Sequence, residues 1–166
     1  MKMNIFLHEF IKNPLQVSAV RPLSAKVREK ILAEIPAGTQ KILELGAGTG
    51  TISERIAKIA PPPQKIRLVE KNKKFYETLK KKFEKHENFE ILWADAEEIA
   101  DFIDENSVDV IINTLPAGLF TPQKREKLQK SMKKILRKNG KIISAQYSKM
   151  SHKIYEQNFS NIKTEK

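Results

Sequence analysis

One short stretch of the chain has the residue types and the spacing of a ligand-binding loop. An apolar run over 42–45 predicts a buried strand, and it contains the acidic residue Glu44. The run leads directly into three glycines, Gly46, Gly48 and Gly50, with Ala47 between the first two. Glycines let a backbone turn sharply and approach a ligand with no Cβ in the way. Because a helix is predicted next, its unpaired N–H groups would lie beside the loop, as at the nucleotide sites of open α/β sheets.

The spacing of the glycines separates three interpretations of the loop. A dinucleotide fingerprint, G-x-G-x-x-G, would place its third glycine at position 51, which is Thr51. The observed pattern, acidic-x-G-x-G-x-G, instead resembles the first motif of class I S-adenosylmethionine-dependent methyltransferases. That resemblance implies that Glu44, Gly46, Ala47, Gly48 and Gly50 bind S-adenosylmethionine, with S-adenosylhomocysteine as the product. A nicotinamide-type site and a purely structural tight turn are the alternatives.

Two more acidic residues end predicted strands. Glu70 lies about twenty residues past the glycines, where a carboxylate can hold a ribose diol by paired hydrogen bonds. Its neighbour Lys71 is included among the expected cofactor-binding residues. The methyltransferase resemblance implies that Asp95 bonds the adenine amino group and that the N–H of Ala96 bonds a ring nitrogen. The alternative for Glu70 is that it ends a strand and binds no ligand. The alternative for Asp95 is that it is a helix N-cap.

The segment after the fourth predicted strand is expected to face the acceptor of the methyl group. Methyl transfer from a sulfonium depends mainly on alignment and on the exclusion of water, so no acid–base pair is required. We expect Asn113 to be the catalytic residue and to contact the cofactor, because a carbonyl there can accept a bond from an amine and orient its lone pair. Leu115 and Pro116 are expected to contact the substrate.

Composition limits the partners and cofactors. The formal net charge of +11 favours a polyanionic partner, either nucleic acid or an anionic membrane surface, although solvated lysine-rich helix faces are the alternative. The chain has no cysteine, and its three histidines lie far apart in sequence. We therefore expect no disulfide framework and no metal site.

Apolar periodicity predicts strands and helices in alternation. The predicted strands cover 42–45, 66–70, 89–95, 108–112 and 141–147, and the helix before the last of them is expected to close at Asn139 and Gly140 as a C-cap turn. Such alternation implies an α/β fold with one doubly wound, mostly parallel sheet and helices on both faces, Rossmann-like in the sense of the methyltransferase resemblance. The 166 residues suit a single domain, with 41–147 as the cofactor-binding core.

Residues 1–36 are expected to form N-terminal helices that act as a lid or contact a membrane. Apolar residues in 1–13 recur at helical spacing, which suits either an interfacial membrane helix or a helix packed on its own domain. Ser24 is the predicted N-cap of the next helix. No apolar run approaches the ~18 residues of a membrane span, and no signal peptide is recognised. We expect a cytoplasmic protein, peripheral on the inner face of the membrane.

Two methyltransferase families share this framework. Residues 6–24 and 114–120 are similar to segments of bacterial phospholipid N-methyltransferases, which methylate the amine of phosphatidylethanolamine at anionic membranes. This resemblance implies the same reaction here. Ribosomal-RNA adenine dimethyltransferases, the alternative, carry Asn-x-Pro-aromatic after the fourth strand. In this chain one extra residue precedes Pro116, and Ala117 replaces the aromatic that would stack on a flipped base.

The C-terminus departs from the pattern of these families. Their domains usually finish with an antiparallel hairpin, whereas this chain ends at Lys166, where that hairpin should begin. We expect the hairpin to be short or absent. The exposed sheet edge would then need cover, which a homodimer would supply. A cofactor-binding protein with little turnover is the remaining alternative.

Overall fold

The computed structural model describes residues 23–116, 118, 120–145, 155 and 159. In chain order the elements are α1 (Ala25–Ala33), β1 (Lys41–Leu45), α2 (Ser53–Ile56), β2 (Lys65–Val69), α3 (Lys73–Phe83), β3 (Phe89–Leu92), a 3₁₀ helix (Ala96–Asp101), β4 (Val108–Asn113), α4 (Pro122–Ile135) and β5 (Leu136–Ser144). The predicted amphipathic helix over 1–13 and the predictions about the C-terminal hairpin and its dimer contact lie outside the described residues.

The five strands form one parallel sheet in the order β3-β2-β1-β4-β5. The glycine strand β1 lies at its centre, and its last residue, Leu45, pairs with Val69 of β2 and with Asn113 of β4. The predicted doubly wound parallel sheet is thus confirmed, and the fourth strand lies beside the glycine strand. Because all the strands point the same way, the segments that follow β1 to β4 meet at one edge of the sheet.

Each face of the sheet carries its own hydrophobic core, because successive strand side chains point to opposite faces. Ile42 packs with α1, α2 and α3 on one face, and Leu43 packs with the 3₁₀ helix and α4 on the other. The helix residues buried in the first core are Ile31, Ile56, Leu79 and Phe83. Those of the 3₁₀ helix and α4 in the second core are Ala96, Ile99, Leu128, Met132 and Ile135.

Side chains at helix starts satisfy the N–H groups that a first turn leaves unpaired. Ser24 accepts a hydrogen bond from the N–H of Val27 at 3.3 Å, which confirms the predicted N-cap of α1. Asn72 does the same for α3, accepting from the N–H groups of Lys74 and Phe75 at 3.0 and 3.3 Å. These caps fix where α1 and α3 begin relative to the strands.

The prediction that Asn139 and Gly140 close a helix is wrong. Helix α4 ends at Ile135, and Leu136 is already extended and pairs with Val108 of β4. The next paired residue of β5 is Lys141, so 137–140 form an irregular bulge within the strand. Asn139 has a φ of 64° there. Asparagine and glycine both tolerate the left-handed region, so an Asn-Gly pair is compatible with a helix C-cap and with a bulge in a strand. The pairing of Leu136 with β4 shows that the bulge is formed here.

The segment after β3 also differs from its prediction. The strand ends at Leu92, and the helix for which Asp95 was the alternative N-cap is a 3₁₀ helix that ends at Asp101. Ile99 and Ile103 are buried as a helical stripe predicts, but Phe102 is exposed. The tighter 3₁₀ turn rotates successive side chains differently from an α-helix, which takes Phe102 off the buried face.

Candidate active site

The glycine loop is attached to the end of the neighbouring strand. The N–H groups of Gly46 and Ala47 both donate to the carbonyl oxygen of Val69, at 2.9 and 3.2 Å. From α3, the Lys82 ammonium donates to the carbonyl oxygen of Thr49 at 2.6 Å. The loop is therefore held by β2 on one side and by α3 on the other.

Two glycines in this loop are required both by conformation and by space. Gly46 and Gly50 each have a φ of +77°, which L side chains rarely adopt. A Cβ on Gly46 would lie 2.7 Å from Cδ2 of Leu115, and one on Gly50 would lie 2.8 Å from Cδ2 of Leu79. The loop thus packs directly against the segment that follows β4 and against α3.

The Glu70 carboxylate joins the glycine loop to the start of α3. One oxygen accepts from the N–H of Gly48 at 2.9 Å, and the other accepts from the N–H of Asn72 at 2.8 Å. Burial raises the pKa of Glu70, and the hydrogen bonds from Asn72 and Gly48 offset this only in part. A carboxylate has about four acceptor positions, so Glu70 can still accept a hydrogen bond from a diol.

Glu44 lies beneath the loop, where it is 1% exposed. Its carboxyl group accepts a hydrogen bond from the Ser53 hydroxyl at 2.6 Å, which ties β1 to α2. Burial raises the pKa of Glu44 to about 7; the Ser53 hydrogen bond lowers it, and the nearby charge of Glu70 raises it further. The motif's acidic residue therefore changes its protonation state near neutral pH.

Asp95 lies at the same edge, beside Lys71. Its carboxylate is 3.5 Å from the Lys71 ammonium and 3.0 Å from that of Lys124, and it accepts from the N–H of Glu97 at 3.4 Å. Partial burial raises the pKa of Asp95, but the hydrogen bond and charge of Lys124 and the charge of Lys71 outweigh it, so the net pKa is lowered. Asp95 is thus the N-cap of the 3₁₀ helix, and Ala96 is buried directly behind it.

Asn113 is completely buried, with 0% exposure, at the end of β4. Its amide nitrogen donates to the Tyr155 hydroxyl at 2.7 Å, and its amide oxygen accepts from the N–H of Leu115 at 3.1 Å. The Tyr155 hydroxyl also lies 3.2 Å from the Ser144 hydroxyl. Both amide atoms therefore have partners inside the protein, and the side chain is enclosed by β4, Leu115 and Tyr155.

The residues after Asn113 fold back onto the glycine loop. The Thr114 hydroxyl lies 3.3 Å from the carbonyl oxygen of Leu45 and 3.2 Å from that of Gly46, and Leu115 covers Gly46. Leu115 and Pro116 are half-buried. Asn113 holds this turn through its bond to Leu115, so its side chain sets the position of the segment that was expected to face the substrate.

The structure brings together the sequence-predicted residues that follow β1, β2, β3 and β4, whereas Glu44 lies below them within β1. Several side chains that support them were missed by sequence reasoning: Ser53, Lys82, Thr114, Lys124 and Tyr155. Ser53 lies only 9 residues after Glu44, at the start of the helix that follows the glycine loop, so its pairing with Glu44 could have been considered from the sequence. Lys124 and Tyr155 lie 29 and 42 residues from their partners, and no local pattern marks them.

The described residues fit S-adenosylmethionine by their own geometry. A glycine loop with positive φ follows the central strand, and a buried carboxylate at the end of β2 lies beside it, which is the arrangement of a nucleoside site in an α/β sheet. Within the described ranges, no cluster of three or more histidine or acidic side chains could hold a metal ion. Across the same residues, no helix is long and apolar enough to span a membrane.

Comparison with known proteins agrees with this geometry. A family model described as a methyltransferase domain matches residues 42–140. The ornithine lipid N-methyltransferase of Singulisphaera acidiphila is 24% identical over 140 residues, which cover 82% of this chain and 73% of that protein.

Solved methyltransferase structures show the same fold. Precorrin-6y C5,15-methyltransferase of Geobacter metallireducens superposes with a TM-score of 0.65 at 17% identity, over 82% of this chain and 71% of that one. Phosphoethanolamine N-methyltransferase 1 of Haemonchus contortus, in complex with phosphoethanolamine and S-adenosylhomocysteine, gives 0.60 at 23% identity. That match covers 75% of this chain but 26% of the other.

Proposed function

Since this chain belongs to the methyltransferase domain family and is an S-adenosylmethionine-dependent methyltransferase, we propose that it methylates the amine of a phosphatidylethanolamine-type lipid headgroup. The observation that carries the proposal is the packing of Leu115 on Gly46. It brings the Leu-Pro segment, which is similar to that of phospholipid N-methyltransferases, beside the cofactor loop. The likeness to an ornithine lipid N-methyltransferase supports an amine on a lipid as the acceptor.

We assign the cofactor contacts to the residues at the sheet edge. The backbone of the Gly46–Gly50 loop would pack against the amino-acid end, and the Glu70 carboxylate would accept hydrogen bonds from the ribose hydroxyls. Asp95 and the N–H of Ala96 would bind adenine, while Lys71 balances the charge of Asp95 at 3.5 Å. Glu44 would act from below by fixing the loop through Ser53.

When bound, S-adenosylmethionine supplies a methyl group that its sulfonium already activates. The protein's task is then to exclude water and to direct a neutral amine along the line of the carbon–sulfur bond. We assign the second task to the turn formed by Asn113, Leu115 and Pro116. Asn113, which is completely buried, fixes this turn through its bond to the N–H of Leu115 and so acts on the substrate through the turn.

The test is label transfer from methyl-labelled S-adenosylmethionine to one of two acceptors in the same tube. The protein is incubated with total RNA and with anionic vesicles that contain phosphatidylethanolamine. The lipid and RNA fractions are then separated, and the label in each is counted. We expect label in the lipid fraction and a loss of that label in Gly46→Val, whose side chain would clash with Leu115 and strain the loop at a φ of +77°. Label in RNA alone would replace the lipid proposal with the second candidate, which the net charge of +11 favours. Cofactor binding with no label in either fraction would also contradict the lipid proposal.

A further inference from the structure

The only tryptophan of the chain, Trp93, is held in an exposed position at the edge of the sheet. It follows β3, the edge strand, and is 57% exposed. Its indole N–H donates to the carbonyl oxygen of Lys71 at 3.0 Å. Lys71 directly follows Glu70, so this exposed ring lies next to the segment that we assign to the cofactor.

Aromatic and basic side chains from α3 surround this tryptophan. Tyr76 stacks on the indole with ring centroids 6.1 Å apart and 28° between the planes. The Lys73 ammonium lies 5.4 Å from the centroid of the Trp93 ring, and that of Lys80 lies 5.5 Å from the centroid of the Tyr76 ring. We call these four residues the aromatic–basic patch. Helix α3, which supplies three of these four residues, carries five lysines and a single glutamate and is therefore strongly positive.

We propose that the aromatic–basic patch docks the protein on an anionic lipid membrane. Indole and phenol rings favour the boundary between headgroups and acyl chains, because one end of each ring is apolar and the other is polar. Lysines beside them attract anionic lipid headgroups while their aliphatic stems lie along the apolar surface. The patch combines both properties in one fixed cluster.

The geometry of the rings favours a membrane over single-stranded RNA. A nucleic-acid base binds an aromatic side chain through an open ring face. Tyr76 and Lys73 lie beside the indole and Lys80 lies beside the phenol ring, so a base that stacks where they lie would have to displace them. Insertion of ring edges into a headgroup layer requires no such displacement.

This inference extends the proposed function to a membrane contact, and it rests on the proposed function only in assuming that the methyl acceptor is a lipid. A patch beside Lys71 would bring the cofactor edge of the sheet close to the lipid headgroups. Membrane binding can be measured without methyl transfer, so the two proposals can fail separately.

The experiment uses the intrinsic fluorescence of Trp93 in the full chain. Phosphatidylglycerol-containing vesicles are compared with pure phosphatidylcholine vesicles, and each kind is also prepared with brominated acyl chains. We expect binding to the anionic vesicles only, with a shift of emission to shorter wavelength and quenching by bromine. Binding to anionic vesicles without a shift or quenching would overturn the inference, because it would place the contact elsewhere. Absence of binding would overturn it too.

A pair of charge reversals tests whether the lysines of the patch contribute. We expect Lys73→Glu with Lys80→Glu to weaken binding to anionic vesicles by at least roughly 25-fold. The control, Lys133→Glu with Lys138→Glu, makes the same change in net charge at exposed positions near the opposite edge of the sheet. Equal weakening by both variants would overturn the inference.

Two further readouts separate docking from chemistry and from RNA binding. Lipid dispersed in neutral detergent micelles should be methylated equally by the Lys73/Lys80 variant and by the native chain, since no anionic surface is needed there. Vesicle binding with no methylation in either format would contradict the proposed function while leaving the docking surface intact. Quenching of Trp93 by RNA at concentrations lower than those of anionic lipid would overturn the inference in favour of a nucleic-acid surface.

Discussion

At the scale of single residues, the buried Glu44 makes the stability of the protein depend on pH. Burial raises its pKa from 4.5 to about 7 in the folded chain. The folded state therefore binds a proton more tightly than the unfolded state. The resulting contribution to the free energy of unfolding is fully present below pH 4.5. It decreases as the pH rises, and at pH 7 the protein has lost roughly 3 kcal/mol of stability.

Glu44→Gln should remove this pH dependence, because an amide does not titrate and its oxygen can still accept from Ser53. Between pH 4.5 and 7 we expect the native chain to lose roughly 3 kcal/mol of stability relative to the variant, measured by urea unfolding at several pH values. Glu77→Gln, on the exposed side of α3, controls for the loss of one acidic residue. Parallel pH profiles for the native chain and Glu44→Gln would contradict the assignment.

A second residue-scale prediction concerns the Tyr155 hydroxyl. Tyr155→Phe would leave the buried amide nitrogen of Asn113 without its partner at 2.7 Å. We expect the free energy of unfolding to fall by about 1–3 kcal/mol, since an unpaired buried donor bears its full desolvation penalty. The matched control is Tyr76→Phe, which keeps the ring contact with Trp93. If both variants unfold at the same urea concentration as the native chain, the Asn113–Tyr155 bond contributes nothing to stability.

The residues of the site were predictable from sequence where their position follows from a strand end. Glu70 and Asp95 were found in this way, because a parallel sheet collects the residues after its strands at one edge. Their partners were not predictable: Lys124 reaches Asp95 from α4, and Tyr155 reaches Asn113 from beyond β5. Such contacts depend on how helices pack on the sheet, which leaves no local pattern.

At the scale of elements, the glycine loop is the most constrained connection. Gly46→Ala would add a Cβ 2.7 Å from Leu115 at a φ of +77°, a backbone region that costs an L residue about 1–2 kcal/mol. We expect at least roughly a tenfold loss of affinity for S-adenosylhomocysteine by calorimetry, because the loop would have to move. Gly118→Ala has nothing within 4 Å of the added Cβ and should bind as the native chain does. Equal affinities for all three proteins would show that the loop does not form the cofactor site.

Elements differ in how far the sequence determined them. The first four strands begin or end within a few residues of their predictions, since apolar runs between turn residues leave little choice. The start of β5 was missed because it depends on a distant partner. Asp109 of β4 accepts from the N–H groups of Gln40 and Lys41 at 2.7 and 2.9 Å and pairs with Arg137 in the bulge of β5 at 3.1 Å. Three segments far apart in sequence thus meet at one carboxylate.

At the scale of the whole molecule, the two cores share one sheet and should unfold together. Ile56 lies in one core and Met132 in the other, and both are fully buried. We expect Ile56→Ala and Met132→Ala each to lower the free energy of unfolding by about 2–5 kcal/mol. Trp93 fluorescence and circular dichroism should still report one coincident transition in each variant. Two separate transitions would show that the faces of the sheet are independent.

The uniform direction of the five strands has a consequence for how such a molecule can change over evolution. The turns that enter the strands lie at the edge opposite the glycine loop, and residues 84–87 and 104–106 among them are exposed. Insertions at these turns leave the geometry of the cofactor edge intact, whereas a one-residue insertion after β1 or β4 separates Gly46 from Leu115. The edge opposite the glycine loop is therefore the place where an affinity handle or a fused reporter domain would disturb the cofactor site least.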